Sequence, residues 1–157
     1  MISGTLQMKK IILALVLLCF TAVAQASISW SLAKTVYYKL ITSNKFSVSP
    51  KLILNPNSAI QAKAYVNAIY VYSGMLKSVR NADEMAWVLG HELAHIKLWH
   101  TSSGHPNEYA ADKFGVRLAN NAGYNGCKGA RILLRWNLPD ALTHPSSVKR
   151  FKALHCG

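Results

Sequence analysis

Acidic residues are scarce in this chain. It has six Asp and Glu among 157 residues, against 18 Lys and Arg, and its formal net charge at pH 7 is +12. So few acids exclude an acidic surface that would attract basic partners. The opposite charge predicts attraction to anionic partners instead.

A hydrophobic run long enough to span a bilayer is also lacking. The longest apolar run, residues 11–24, has 14 residues, whereas a spanning helix needs about 20. We therefore expect no transmembrane helix in the mature chain. Lys9-Lys10 precedes the run and Ala24-Gln25-Ala26 follows it, which is the pattern of a secretory signal peptide cleaved after the last of these residues. Lipidation of Cys19 is not expected, because Leu18 stands where a lipoprotein signal has a small residue.

These features divide the chain into two parts. We expect residues 1–26 to be removed as a signal peptide and residues 27–157 to form one domain, since a chain of this length buries a single core. The protein would then be exported to the periplasm, with secretion or peripheral association with a membrane as alternatives. Met1 and Met8 are both compatible with the true start of translation.

Cysteine is scarce as well, with three in the chain. Cys19 would leave with the signal peptide, so the mature chain would keep Cys127 and Cys156, an even number in an oxidising compartment. We predict that these two form a disulfide bond. Two buried free thiols are the alternative.

The richest pattern lies in residues 81–100, which we interpret as one helix. Asn81 is a favourable N-cap, Glu84 is the second half of a capping box, and Asp83 adds a favourable charge in the first turn. The apolar residues around the functional face are Met85, Val88, Leu89 and Trp99. Their helical spacing predicts that this helix is buried in the centre of the domain.

This helix carries His91, Glu92 and His95 in the pattern His-Glu-x-x-His. At 3.6 residues per turn the two histidines lie on one face and can direct two imidazoles at one metal ion. Imidazole is a favoured zinc ligand, and Glu92 would lie beside the metal, where it can hold the water that attacks a substrate. The alternative is a chance match in which both histidines are ordinary core residues.

A second predicted helix follows and carries two more acids. It begins at Asn107, reaches about Ala122 and ends at Gly123. Glu108 and Asp112 lie one turn apart on the same face. Glu108 can therefore supply a third zinc ligand, and Asp112 can accept the second ring N–H of a ligand histidine. Two surface acids stabilised by the helix dipole are the alternative.

Three further segments complete the fold prediction. Residues 29–41 have the spacing of an amphipathic helix, residues 46–54 suit a short or edge strand interrupted by Pro50, and residues 59–72 are the best strand region. Together the segments indicate a mostly helical α+β domain with a small antiparallel β-sheet beside the metal-binding helix. An exposed edge of that sheet could hold an extended peptide over the metal.

The motifs together resemble one enzyme family. His91-Glu92-Leu93-Ala94-His95 followed by Glu108-Tyr109-Ala110-Ala111-Asp112 is similar to the HExxH and ExxxD pair of gluzincin metallopeptidases of the HtpX-like and CAAX-prenyl-protease-like family. The other matching segments, all within roughly residues 64–154, are Asn67-Ala68, Gly74-Met75-Leu76, Gly115-Val116, Ala122-Gly123-Tyr124 and Thr143-His144-Pro145-Ser146 with Arg150.

This resemblance implies a zincin-like metallopeptidase fold and a zinc endopeptidase that holds one Zn2+ per chain. The implied metal ligands are His91, His95 and Glu108. Glu92 is implied as the general base and then the general acid, and Asp112 as the partner that orients a ligand histidine.

The resemblance also implies roles outside the two motifs. Asn67 and Ala68 correspond to the substrate-side strand before the active helix. His144 is implied as a catalytic residue that stabilises the oxyanion or contacts substrate, and Arg150 as a residue that orients that region. A fourth zinc ligand that closes the resting site is a rival role for His144.

Two departures from the family pattern limit what carries over. The connection from His95 to Glu108 is short and the strand region before Gly74 is compressed, so we expect minimal cleft walls. We also expect the exported chain to lack the family's membrane-spanning helices, so substrate preference does not carry over. His100 and His105 do not match the metzincin pattern, and we interpret both as structural or loop residues.

From these observations we expect a zinc-dependent metalloendopeptidase that hydrolyses polypeptides among exported or envelope proteins. The alternative is an exported basic binding protein with a structural or vestigial zinc site, although such a site needs no base at position 92. Without residues 1–26, 16 Lys and Arg remain against all six acids. This charge predicts an anionic envelope component or an acidic protein as a further partner. No nucleic acid is expected, because no nucleic-acid-binding motif is recognised.

Overall fold

The structure of the protein, a computed structural model, describes residues 27–102 and 104–156. The predicted signal peptide, residues 1–26, lies outside the described residues. In chain order the elements are α1 Trp30–Ser43, β1 Lys51–Asn55, β2 Ala62–Tyr65, β3 Ala68–Tyr72, α2 Ser73–Ser78, α3 Ala82–Lys97, α4 His105–Asn121, α5 Gly126–Ala130, α6 Ile132–Trp136 and α7 Ser147–Ala153. The prediction of a mostly helical α+β fold is confirmed. Within the described ranges, no helix combines the length and hydropathy that crossing a membrane requires.

Helix α1 packs against α3 and β1. Ser29 is its N-cap, and the Ser29 hydroxyl accepts a hydrogen bond from the backbone N of Leu32 at 3.1 Å. The buried residues of α1 are Ala33, Val36, Tyr37, Leu40 and Ile41. The Tyr37 hydroxyl donates a hydrogen bond to the carbonyl of Pro50. This bond ties the helix to the residue that precedes β1.

The sheet is mixed, with β3 between β1 and β2. β3 pairs in parallel with β1, with Ile69 opposite Leu52, and antiparallel with β2, with Ile69 opposite Ala64. The predicted antiparallel sheet is therefore correct for only one of the two strand pairs. Val66 and Asn67 form the two-residue turn between β2 and β3. Alternation of apolar residues determines which face of a strand is buried, but it does not determine the direction of its neighbours.

Helix α3 is the buried centre of the fold, since every residue from 84 to 94 is buried. Asn81 is the predicted N-cap, and its side chain accepts a hydrogen bond from the backbone N of Glu84 at 3.0 Å. The second half of the capping box is not formed. The Glu84 carboxylate instead accepts a hydrogen bond from Arg80 N at 2.8 Å and binds the guanidinium of Arg135 at 2.7 Å. The bond to Arg80 N and a partly buried ion pair with the distant Arg135 take the place of the capping-box bond.

The other end of α3 also differs from the prediction. The helix ends at Lys97, three residues before the predicted limit. Trp99 adopts a left-handed conformation with φ 53° and is 78 % exposed, so it does not pack around the ligand face. The backbone N of Trp99 donates to the Ile96 carbonyl at 3.2 Å, and that of His100 to the His95 carbonyl at 3.0 Å. This pair of bonds is a Schellman motif, which turns the chain back on the helix.

Helix α4 packs directly against α3. A Cβ atom on Gly115 would lie 2.8 Å from the backbone N of His91, and a Cβ atom on Gly90 would lie 2.8 Å from the carbonyl O of Gly115. No side chain fits at such a distance, so glycine at both positions allows the two backbones to touch. The close approach brings the acids of α4 within reach of the histidines of α3.

A disulfide bond joins Cys127 in α5 to Cys156, which follows α7. Their Cα atoms are 5.4 Å apart, within the usual range for such a bond. The bond is the one predicted from the cysteine count. Because α5 packs against α3, the disulfide fastens the last helix to the centre of the fold.

Candidate metal centre

Three side chains from two helices converge on one point. His91 and His95 of α3 direct their Nε2 atoms toward each other at 3.0 Å. Glu108, in the first turn of α4, lies opposite, with its carboxylate oxygens 3.5 Å from His91 Nε2 and 3.4 Å from His95 Nε2. All three ligand atoms lie within 4.8 Å of one another. The structure therefore brings together the three predicted zinc ligands.

The chemistry of this group fits a divalent cation. Glu108 is 2 % exposed, and its Oε2 has no hydrogen-bond partner among the described residues. Arg150 Nη1 lies 3.3 Å from this oxygen without forming a hydrogen bond, and leaving a buried carboxylate oxygen without one is costly. Two imidazole nitrogens that face each other can share one proton only, whereas a cation would accept both lone pairs. Two histidines and one glutamate form a ligand set of catalytic zinc sites that leaves a fourth position open.

Asp112, one turn after Glu108 on α4, binds the ring nitrogen of His91 that faces away from the ligand group. The Nδ1 atom of His91 lies 2.9 Å from Oδ1 of Asp112, which is 1 % exposed. Burial lowers the pKa of His91, but the hydrogen bond to Asp112 and the negative charges of Asp112 and Glu92 together outweigh it, and the pKa is raised. A proton on Nδ1 leaves the lone pair of Nε2 free for a metal. The structure thus brings Asp112 to the position predicted for it.

Arg150 of α7 binds the Asp112 carboxylate and fixes its position. Its Nε and Nη2 atoms donate to the two oxygens of Asp112 at 2.8 and 2.6 Å. Burial alone would raise the pKa of Asp112, but the hydrogen bonds from Arg150 and His91 hold it at about 2. Asp112 therefore stays ionised at neutral pH and remains an acceptor for His91.

Glu108 is also kept ionised. Burial would raise the pKa of Glu108, but the hydrogen bond with His95 and the charges of His91 and Arg150 lower it below the ordinary value. The Nη1 atom of Arg150 lies 3.3 Å from Oε2 of Glu108. One arginine therefore compensates two buried carboxylates, and the predicted orienting residue contacts both acids of α4.

Glu92 lies beside the ligand group and is not a member of the group that the described residues form. It is 8 % exposed. It lines a cavity of about 400 Å3 together with His91, His144 and Arg150. A carboxylate at this position faces the space that a substrate would occupy next to the metal.

His144 lies at the mouth of the same cavity. Its Nε2 atom is 3.6 Å from Oε1 of Glu108, its Nδ1 atom is 2.7 Å from the Thr143 hydroxyl, and its side chain is 53 % exposed. The Nε2 atom of His105 lies 2.7 Å from the carbonyl O of Ala141 and ties the loop that carries His144 to the start of α4. His105 is the first residue of α4, so it has the structural role expected of it but does not lie in a loop.

One contact of the centre was not predicted. The Nδ1 atom of His100 lies 3.0 Å from Nδ1 of His95. The sequence signal for this contact is that His100 follows His95 by five residues. In a Schellman motif, the second residue beyond the helix cap donates its backbone N–H to the carbonyl five residues earlier.

A sequence model of peptidase family M48 matches residues 34–105 and 101–156, which together make up most of the chain. The chain belongs to peptidase family M48. A comparison with curated proteins found no significant match. The resemblance inferred from the motifs is confirmed, since HtpX-like peptidases are members of this family, and the protein is a metallopeptidase.

The match to the M48 model consists of two segments of the chain. Its two segments overlap at residues 101–105, within the connection between His95 and Glu108. The Schellman turn at Trp99 lies just before that place and the first turn of α4 just after it. The HExxH and ExxxD motifs therefore lie on successive helices, α3 and α4, on either side of this connection.

Asn67 and Ala68, which are predicted to lie on the substrate side of this M48 chain, occupy the turn before β3 and its first position, respectively. Ala68 belongs to the central strand β3, where it is paired with Lys51 on one side and Tyr65 on the other. The carbonyl of Asn67 accepts a hydrogen bond from Lys51 N at 2.8 Å. The role of Asn67 and Ala68 on the substrate side therefore stays a prediction, and it cannot rest on backbone pairing with a peptide, because a central strand has no free edge. Among the described strands, β2 is the edge that packs against α3.

The surface of the M48 chain is basic, as the composition predicts. Four of the six acids are buried: Glu84, Glu92, Glu108 and Asp112. The other two each pair with a lysine. Asp83 lies 3.6 Å from Lys128, and Asp140 binds Lys149. Among the described residues, the exposed lysines and arginines therefore outnumber the exposed acids.

Proposed function

We propose that this M48 chain is a zinc-dependent metalloendopeptidase of the gluzincin type, with one Zn2+ per chain held by His91, His95 and Glu108. The observation that carries the proposal is the position of Glu92 in the wall of the cavity that also exposes His91. A structural metal site has no need of a carboxylate there. When bound, zinc supplies Lewis acidity, which polarises a carbonyl and lowers the pKa of a bound water to about 7.

Glu92 would handle the proton in both halves of the reaction. Its carboxylate accepts a proton from the attacking water and then returns a proton to the nitrogen of the leaving amine. The near-complete burial of Glu92 supports this role, because a base enclosed by the cavity wall acts on the substrate with little competition from solvent.

His144 would stabilise the charge that develops on the substrate carbonyl oxygen, by donating a hydrogen bond from Nε2. Its exposure at the cavity mouth supports a contact with substrate. The rival role is a fourth zinc ligand. Absorption spectra of the cobalt-substituted protein separate the two, since His144→Ala changes the coordination only if His144 is a ligand.

An extended polypeptide is the substrate that the surroundings of the centre favour. Edge strand β2 can pair with the backbone of such a peptide. β2 contributes Ala64 to a cavity of about 350 Å3 that exposes His95 and Trp99, and Ala62 to the cavity of about 400 Å3 that exposes His91. Both cavities are mainly apolar. We expect apolar side chains on both sides of the cleaved bond.

Export to the periplasm completes the proposal, with polypeptides of exported or envelope proteins as substrates. The signal-like pattern in residues 1–26 supports it, and so does the disulfide between Cys127 and Cys156, since such bonds persist in oxidising compartments. The basic surface favours an anionic envelope component or an acidic protein as an additional partner.

The experiment that tests this function measures cleavage of an unfolded protein by the purified wild type and by Glu92→Gln, with zinc content determined for both. We expect Glu92→Gln to retain zinc and to lose turnover by about 100-fold or more. Asp140→Asn, which changes an exposed acid, is the matched control and should cleave normally. Normal cleavage by Glu92→Gln would overturn the assignment of the base.

The second candidate function is an exported basic binding protein, and the burial of four of the six acids favours it. This function predicts that the zinc-loaded wild type does not cleave unfolded proteins. It also predicts that vesicles of anionic lipid bind the wild type and Glu92→Gln equally. Cleavage by the wild type decides in favour of the peptidase.

A further inference from the structure

We propose that His100 is a positioning residue, which holds the imidazole of His95 in the orientation and the tautomer that a metal ligand needs. The proposal rests on the proposed function, because it concerns the same metal group. The spacing of His100 in the sequence indicates only a structural or loop residue, and its role depends on how α3 ends.

The end of α3 brings the backbone of His100 to that of His95. In the Schellman motif the residue two positions beyond the cap bonds to the carbonyl five residues before it, and this bond joins His100 N to His95 O at 3.0 Å. Leu98 is the cap, and Trp99 occupies the left-handed position at φ 53°, which favours glycine. The turn therefore directs the chain back along the helix at the second ligand histidine.

The side chains complete the contact. Nδ1 of His100 lies 3.0 Å from Nδ1 of His95, and the ring centroids are 5.1 Å apart at an interplanar angle of 71°. The Nε2 atom of His95 faces His91 and Glu108, so it must keep its lone pair free for the metal. The proton of neutral His95 then lies on Nδ1 and is donated to the lone pair of His100 Nδ1. Binding of a metal and this hydrogen bond select the same tautomer.

The two ligand histidines are held in matching ways. His91 directs Nδ1 to the Asp112 carboxylate, and His95 directs Nδ1 to His100, while both Nε2 atoms face Glu108. Partners of this kind typically change metal affinity by about 10- to 100-fold. A neutral acceptor at His95 adds no further negative charge to a centre that already contains buried carboxylates.

His100 is half-buried and follows the helix, so shortening its side chain removes little packing. It lines the 350 Å3 cavity together with Trp99 and Thr101. These two neighbours provide controls. Trp99→Gly retains the Schellman turn, because glycine adopts positive φ readily. Thr101→Asp adds a charge at the adjacent position of the same cavity.

The test is the zinc dissociation constant of the full chain, measured by competition with a chromophoric chelator for His100→Ala, His100→Asn and His100→Asp. We expect His100→Ala to weaken zinc binding by about 10- to 100-fold. His100→Asn should recover part of the loss, since its carbonyl oxygen can accept from His95 Nδ1. His100→Asp, with a stronger acceptor, should equal or exceed the wild type, whereas Trp99→Gly and Thr101→Asp should match the wild type.

The order of the three variants distinguishes positioning from a structural role. Equal affinities for all three variants, or wild-type affinity for His100→Ala, would overturn the proposal. If His100→Ala fails to fold, tighter binding by His100→Asp than by His100→Asn supports the proposal, and equal binding overturns it. Cobalt absorption spectra provide a second readout, with shifted bands expected for His100→Ala. None of these measurements depends on turnover, so the peptidase assignment stands or falls separately on Glu92→Gln.

Discussion

Arg150 and Asp112 form a two-point ion pair, in which the guanidinium donates to both carboxylate oxygens at 2.8 and 2.6 Å. Arg150 lies on the last helix, 38 residues from Asp112 in the chain. Its side chain is 11 % exposed and that of Asp112 is 1 % exposed. Helix α7 is therefore part of the support of the candidate metal centre.

Replacing Arg150 by Met should destabilise the protein strongly. The variant leaves the charge of Asp112 buried without its partner, and losses of about 3–5 kcal/mol are typical when one member of a buried pair is removed. Urea unfolding measures the loss. Lys149→Met, which removes an exposed partner of Asp140, is the control and should leave the free energy of unfolding nearly unchanged. Similar values for both variants would contradict the buried-pair interpretation.

The pKa of Asp112 predicts how stability responds to acid. Because the folded protein holds this pKa at about 2, below its ordinary value of 3.8, the stabilisation is present above pH 3.8 and is lost as the pH falls toward 2. The shift corresponds to about 2 kcal/mol. Unfolding of chelator-treated protein, followed from about pH 5 to about pH 2, should show a shallower decline for Asp112→Asn. Parallel curves for the two proteins would exclude this contribution.

The disulfide should stabilise the fold and the metal centre together. Cys127 and Cys156 are 29 residues apart, and closing a loop of that length contributes about 3–4 kcal/mol in the chain-entropy picture. The double variant Cys127→Ala, Cys156→Ala should unfold at lower urea concentration. It should also bind zinc more weakly, since α7 carries Arg150. A reducing agent should reproduce both effects in the wild type and have no effect on the double variant.

The contact between Gly90 and Gly115 predicts a steric effect on the centre. Gly115→Ala would place a Cβ atom 2.8 Å from the backbone N of His91 and push α4 away from α3. We expect a loss of about 1–3 kcal/mol in stability and weaker zinc binding, because Glu108 moves with α4. Gly104→Ala is the matched control, since a Cβ atom there would meet nothing within 4 Å. Wild-type zinc affinity in Gly115→Ala would show that the two helices can separate without cost.

Local features could be predicted because helix geometry determines them. His91 and His95 share a face since they are four residues apart, and the same holds for Glu108 and Asp112. Asn81 is a cap because its side chain bonds to a residue three positions later. Non-local features were less accessible. Glu84 binds a distant arginine rather than completing its capping box, which the local sequence does not indicate.

The sequence by itself determined the candidate ligands, the candidate base beside them, the M48 resemblance, the basic charge and the pairing of the last two cysteines. The ligands, the base and the resemblance depend on spacing within helices, and the charge depends on composition. The disulfide prediction depends on there being two cysteines after residue 26. Only the tertiary structure decided that β2 is the edge beside α3, that Arg150 supports Asp112 and that His100 returns to His95. These relationships depend on which elements pack together and on how the chain turns at the end of α3. The backbone repeat determines distances within a helix, whereas side-chain packing decides contacts between segments that are remote in the chain.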